Sequence, residues 1–154
     1  MGETGPLRSE VVEIPTFVPI IIRYHYMKRI LFAAFLVSLV GTGAELLLLE
    51  HTQDAWQLIP VVLIGLALLS FSWFVLNGSK LSQQILRGVM VFFIVSGVLG
   101  FGLHYNGNME FELEMYPNMK GAELVWETLK GATPVLAPGS MIATGLLGWA
   151  YTMK

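Results

Sequence analysis

The sequence predicts an all-α membrane protein: four transmembrane helices in an antiparallel bundle, with a short interfacial amphipathic helix in the outer loop between spans 3 and 4. Three observations carry that reading. Four apolar stretches, Ile30–Leu49, Leu58–Leu76, Val89–Leu103 and Val135–Tyr151, dominate the chain, and each approaches the roughly 17–25 helical residues that cross a hydrocarbon core. Hydrophobic residues form 55% of the 154 and charged residues only 13%, against about 45–50% and about 25% in soluble domains. A short polar turn separates the second and third stretches, so spans 2 and 3 are neighbours running in opposite directions. With flanking residues included, the spans fall at 30–49, 58–76, 87–104 and 135–152, the outer loop at 105–133, and an N-terminal arm at 1–29.

The arm holds Pro6, Pro15 and Pro19, and its apolar run Val11–Ile22 is broken by Glu13. Proline fixes φ and removes a donor, so an extended segment lying on the membrane or on a partner is expected here. Arg23, Tyr24, His25, Tyr26 and Lys28 suit the headgroup level, where amphipathic rings and basic tips anchor helix ends. Span 1 then begins too late, and runs too long, for a cleavable signal peptide, and reads as an uncleaved anchor. Asn77-Gly78-Ser79-Lys80 is a tight turn between spans 2 and 3.

The outer loop has its own pattern. Met109-Glu110-Phe111-Glu112-Leu113-Glu114-Met115 alternates apolar and acidic residues, the period of an extended segment. Pro117-Asn118 turns the chain. From Met119 to Lys130 the spacing of Ala122, Val125, Trp126 and Leu129 marks one face of a short helix lying flat on the leaflet, with Gly131 at its end. Span 4 starts at Pro134, capped by Thr133, or one turn later at Pro138-Gly139.

Charge orients the spans. Arg8, Arg23, Lys28, Arg29, Lys80, Arg87 and Lys154 fall on one side, and Lys120 and Lys130 on the other: seven against two of the nine basic residues. Basic residues in short loops mark the cytoplasmic face, so both termini are expected in the cytoplasm. Glu50, Asp54, Glu110, Glu112, Glu114, Glu123 and Glu127 gather on the outer side, either as a solvated rim or as a face that concentrates cations.

In lipid, small residues mark helix contacts. Ser140, Thr144, Gly148 and Thr152 recur at four-residue spacing in span 4, Ser96, Gly100 and His104 do so in span 3, and span 1 has Gly41 and Gly43, of which Gly41 shares a face with Glu45. The run Gly97–Gly102 is likewise read as helix packing.

The chain has no cysteine and a net charge of -2. The first excludes disulfides, iron–sulfur clusters, thiolate metal sites and covalent haem attachment; the second removes the basic face a nucleic-acid partner needs. No nucleophile elbow, phosphate loop or dinucleotide fingerprint is present, so an enzyme is not indicated. Glu45 is an ionisable group inside a span, which is costly and often functional, unless it snorkels to the interface. His51 follows span 1, and His104 ends span 3 on the small-residue stripe. Glu45, His51 and His104 form a candidate cofactor or metal site at the outer end, for a transition metal, a haem or a quinone. No cofactor is required by the sequence, and the histidines alternatively cap helix ends. Glu110, Glu112 and Glu114 are candidates for contact with a partner or cation, as a recognition strand.

The segments Leu103-His104-Tyr105-Asn106-Gly107-Asn108, Glu112-Leu113-Glu114-Met115-Tyr116-Pro117 and Gly131-Ala132-Thr133-Pro134-Val135-Leu136-Ala137-Pro138-Gly139 resemble those of a family of small bacterial integral membrane proteins. The resemblance covers about residues 40–154. It implies four spans in a bacterial inner membrane and no assigned activity.

Three functions are compatible with these features. The first is a non-enzymatic accessory or scaffold subunit whose partners are the bilayer and other membrane subunits or itself. The second is a redox, metal-, haem- or quinone-binding protein with its site at the outer end. The third is a small proton- or cation-coupled transporter working through Glu45.

Overall fold

A computed structural model describes residues 20–153, and among them every regular element is helical. The order is α1 (Ile20–Leu48), α2 (Ala55–Asn77), α3 (Lys80–Met115), α4 (Gly121–Lys130) and α5 (Gly139–Tyr151). Among the described residues α1, α2 and α3 are each long and apolar enough to cross a membrane, which points to a multi-pass integral membrane protein. Their outer surfaces agree, since Val37 is 74% exposed, Leu69 71% and Leu76 87%. An apolar solvent, not water, suits such faces.

α1 starts ten residues before the expected span. Residues 20–29 hold neither proline nor glycine, so a helix nucleated in the apolar run propagates back through Arg23–Arg29. The extended arm expected up to residue 19 lies outside the described residues. The α2–α3 turn is as tight as expected: Gly78 takes the left-handed φ of 62° that closes α2, and Ser79 caps α3 by accepting from the Ser82 N–H at 3.1 Å.

The expectation of an extended Met109–Met115 is corrected. α3 runs unbroken to Met115, over 36 residues, or about 54 Å at 1.5 Å per residue, well past a hydrocarbon core of about 30 Å. Met, Glu and Leu are strong helix formers, and no proline intervenes before Pro117. As a helix, the alternation puts Glu110 and Glu114 on one exposed face and leaves Glu112 half-buried on another. No single strand face carries all three.

α4 occupies the expected place. Gly131 follows it with φ -54°, so no left-handed cap requires glycine there. The reason for glycine is space, because a Cβ at residue 131 would lie 2.5 Å from Asn108 Cγ. α5 starts at Gly139, which decides between the two predicted starts. It has 13 residues, about 20 Å, and Pro134–Pro138 form turns ahead of it.

α5 packs between α1 and α3, and glycine permits it. A Cβ at Gly97 would meet Pro138 O at 2.8 Å, at Gly100 Pro138 Cβ at 3.0 Å, at Gly145 Met90 O at 2.8 Å, and at Gly148 Phe35 Cε2 at 2.7 Å. Thr144 is fully buried and shares a 2.5 Å hydrogen bond with Ser38 Oγ. The predicted stripe residues Gly100, Ser140, Thr144 and Gly148 therefore sit at or beside this contact. Gly41 does not, since no atom lies within 4 Å of its notional Cβ, while Gly43 two residues on meets Ile64 at 3.4 Å. Gly145 is out of step with the four-residue spacing, so the stripe pattern does not reveal it.

One end of the bundle is closed by basic side chains. Lys28 Nζ donates to the carbonyls of Tyr151 and Met153. Arg87 Nε donates to Thr152 Oγ1 at 2.8 Å and its Nη2 to Thr152 O at 3.1 Å, while Gln83 Nε2 donates to the same carbonyl at 2.6 Å. These cations satisfy the orphan carbonyls and negative dipole end of α5. Beside them Phe32, Phe71, Phe74 and Tyr151 form an aromatic cluster.

Candidate functional site

The opposite end is built around the α1–α2 turn. α1 terminates in a Schellman arrangement: Glu50 N–H donates to Leu47 O at 3.1 Å and His51 N–H to Leu46 O at 2.9 Å. The residue between helix and turn is Glu50, at φ 51°, where a side chain is strained by about 1–2 kcal/mol. The tight reversal sets His51 back against the bundle. Asp54 then caps α2, its Oδ1 accepting from the Gln57 N–H at 2.9 Å. Pro60 lies in the second turn of α2 and supplies no N–H to the carbonyl four residues back.

From α3, His104 approaches His51 with ring centroids 6.5 Å apart and planes at 61°. His104 Nδ1 is 2.9 Å from Pro134 O. A carbonyl only accepts, so Nδ1 carries the hydrogen and Nε2 of the neutral ring is an acceptor. His51 lies outside the apolar spans. Its burial, with His104 nearby, pushes its imidazole below the ordinary 6.5, and Asp54 opposes the shift in part.

Asn108 fixes the roof. It is 3% exposed. Its Nδ2 donates to Thr128 O at 3.0 Å and Thr133 O at 2.7 Å, and its Oδ1 accepts from the Thr133 N–H at 3.0 Å. One side chain thus ties α4 and the Thr133–Pro134 backbone to α3. In sequence Asn106-Gly107-Asn108 has the composition of a loop, and a buried polar residue carrying a whole connection has no spacing signature.

Between these parts lies a cavity of about 680 Å³. Thr42 and Glu45 from α1, His51 and Asp54 from the turn, Trp56 and Gln57 from α2, Ser96 and His104 from α3, and Thr133 and Ser140 near the start of α5 contribute its polar groups. Leu46, Leu63, Phe92, Leu99, Leu103 and Met141 supply apolar wall. All three residues predicted as a site, Glu45, His51 and His104, line this one space, with Glu45 exposed and the histidines half-buried. The predicted Gly100 and Ser140 line it too, whereas Glu110, Glu112 and Glu114 are not among its lining residues. Among the described residues no group of three His, Cys, Asp or Glu side chains stands close enough to hold a metal ion.

Comparison with models of protein families, with curated proteins and with solved structures finds no match.

Proposed function

We propose that the chain is a four-span membrane protein that binds an amphiphilic small molecule, apolar tail and polar head, in the cavity beside the α1–α2 turn. The observation that carries this is the cavity itself. Its volume of about 680 Å³ lies within the 300–1,000 Å³ of small-molecule sites, and apolar walls with a few converging polar groups are their usual lining. His51, His104, Glu45 and Asp54 provide the polar end. Of the cofactor classes the sequence allows, a quinone-like molecule fits best. A bound metal is not favoured, because no three ligands converge among the described residues.

The reading places α5, with the turns before it, as a fourth span, in an antiparallel bundle with both termini cytoplasmic. The charge distribution supports that orientation. α4 then lies on the outer leaflet with Val125, Trp126 and Leu129 exposed, as an interfacial helix requires. No feature among the described residues favours the accessory-subunit or transporter readings over this one.

The test is native mass spectrometry of the full chain released from nanodiscs made of its own membrane lipids. Wild type is expected to hold one apolar-tailed molecule through detergent removal. Ser96→Phe, which projects a ring into the cavity, is expected to lose it, while Ser72→Phe on an exposed face keeps it. A wild-type protein that carries nothing, or a Ser96→Phe protein that still carries its adduct, refutes the proposal.

A further inference from the structure

The lining of the cavity carries charge of one sign. Glu45 and Asp54 line it and are formally negative at pH 7, whereas neither lysine nor arginine lines it. Its other polar groups, an indole, an amide, hydroxyls and two imidazoles, add no formal charge there. Burial lowers the pKa of His51, which keeps that imidazole neutral. No cation among the described residues offsets the two carboxylates. The one ion pair among them joins Lys130 to Glu127, and neither residue lines the cavity. Lys28 and Arg87 are committed to the opposite end, on the carbonyls that close α5.

A carboxylate within an apolar span is costly unless a counter-charge or water meets it, and Glu45 stands inside α1. Asp54 spends Oδ1 on the Gln57 N–H, at 2.9 Å, with Oδ2 left over. Trp56 and Phe92 also line the space, and aromatic faces attract cations, indole most of all.

We infer that the cavity takes an amphiphile with a cationic head, an ammonium on an apolar body, and that Glu45 and Asp54 are its counter-charges. This rests on the amphiphile reading above and adds the sign of the head. A quinone, the best fit among cofactors, is uncharged and leaves both carboxylates unmatched. A phosphate or carboxylate head brings a further negative charge into the same space. Two sources share the ammonium chemistry: a free lipophilic cation, and the choline head of a membrane phospholipid.

The experiment is a native mass spectrometry titration of the full chain in a maltoside detergent, whose head is uncharged. Salt at about 0.15 M, with its Debye length of about 8 Å, mutes acids away from the cavity. The five probes are decyltrimethylammonium, decyldimethylamine oxide, decylphosphocholine, decyl phosphate and decyl-benzoquinone. The amine oxide has a tetrahedral head of similar size without net charge. Wild type is expected to bind the ammonium about tenfold tighter than the amine oxide, the effect of two half-screened charge pairs. Decyl phosphate should bind weakest. Phosphocholine binding within about threefold of the ammonium, a spread on the order of one exposed ion pair, identifies a choline lipid as the source. Weaker binding identifies a free cation, and either supports the inference. Binding of the amine oxide, the quinone or the phosphate as tight as that of the ammonium overturns it.

The double variant Glu45→Gln/Asp54→Asn assigns the effect to residues. Asn caps a helix as well as Asp does, and Glu45 is exposed, so the fold is kept. Ammonium binding should weaken about tenfold while amine oxide binding moves by less than about twofold. Glu110→Gln/Glu114→Gln, on an exposed face outside the cavity, should change neither. Unaltered ammonium binding in the cavity variant, or an equal loss in the outside control, overturns the inference. If the double variant does not fold, Glu45→Gln alone carries the same test with about a threefold loss. Failure of the charge rule is distinguishable from failure of the cavity reading. If Ser96→Phe blocks all five probes and wild type ignores their charge, only the rule falls; if Ser96→Phe blocks none, both fall.

Discussion

Replacing Asn108 should release the roof of the cavity without unfolding the helices beneath it. In Asn108→Ala three hydrogen bonds are lost, to Thr128 O, Thr133 O and the Thr133 N–H. Each is worth about 1 kcal/mol net, and a group left buried without a partner costs about 1–3 kcal/mol. Thr133 is exposed and regains water, and the buried Thr128 carbonyl keeps only the longer bond from the Gly131 N–H, at 3.3 Å. The local loss should therefore be about 2–4 kcal/mol. Asn108→Asp should be at least as severe at neutral pH, since a carboxylate oxygen then faces two carbonyls. It should recover in acid, where the protonated group donates again. Hydrogen exchange across residues 116–134 is the assay. A loss of about 3 kcal/mol speeds exchange in α4 by about two orders of magnitude, with α1 and α2 unchanged. Exchange in α4 within threefold of wild type would show that Asn108 does not hold the roof.

Other perturbations follow from the same geometry. Glu50→Gly removes a side chain from a left-handed backbone position and should stabilise the protein by about 1 kcal/mol in thermal unfolding. Gly145→Ala should destabilise by about 1–3 kcal/mol, because its Cβ would meet Met90 O at 2.8 Å, whereas Gly41→Ala, with open space around it, should be neutral or better. His51 has a folded-state pKa below its ordinary 6.5, so the unfolded chain binds the proton more readily. Its contribution should be fully present above pH about 6.5 and fall away as pH drops from there toward the folded-state pKa. Melting temperatures of wild type and His51→Gln across pH 5–8 check this, and parallel profiles would refute it. Arg87→Met should weaken the last turn of α5 by about 1–3 kcal/mol, and Arg87→Lys should rescue it poorly, because two guanidinium nitrogens reach Thr152.

Much of this fold is legible in the residues. The apolar runs locate the first three long helices, the Gly78-Ser79 punctuation locates a turn, and the 3.6-residue pattern of Ala122, Val125 and Trp126 locates α4. The errors have definite causes. Alternation in Met109–Met115 signals a strand only when a neighbouring strand pairs with it; attached to a long helix and made of helix formers, the segment continues the helix. Proline upstream suggested that the arm stayed extended, yet helix propagation from the apolar run reached Ile20. That Glu45, His51 and His104 line one cavity follows from ionisable groups being few in and beside the spans. Their meeting depends on a Schellman turn that carries no glycine to announce it, and their roof on Asn108, whose role exists only in three dimensions.

The clamp on the last turn of α5 ties assembly to the order of synthesis. Lys28, Gln83 and Arg87 belong to helices made before α5, and they wait with unmatched charge and donors until its carbonyls arrive. A 13-residue helix with glycines at 145 and 148 has little insertion drive of its own. Its hold on the protein is the groove beside α1 and α3 and the donors that meet its last carbonyls. Removing Lys28 and Arg87 together would leave the groove intact and the helix held by packing alone.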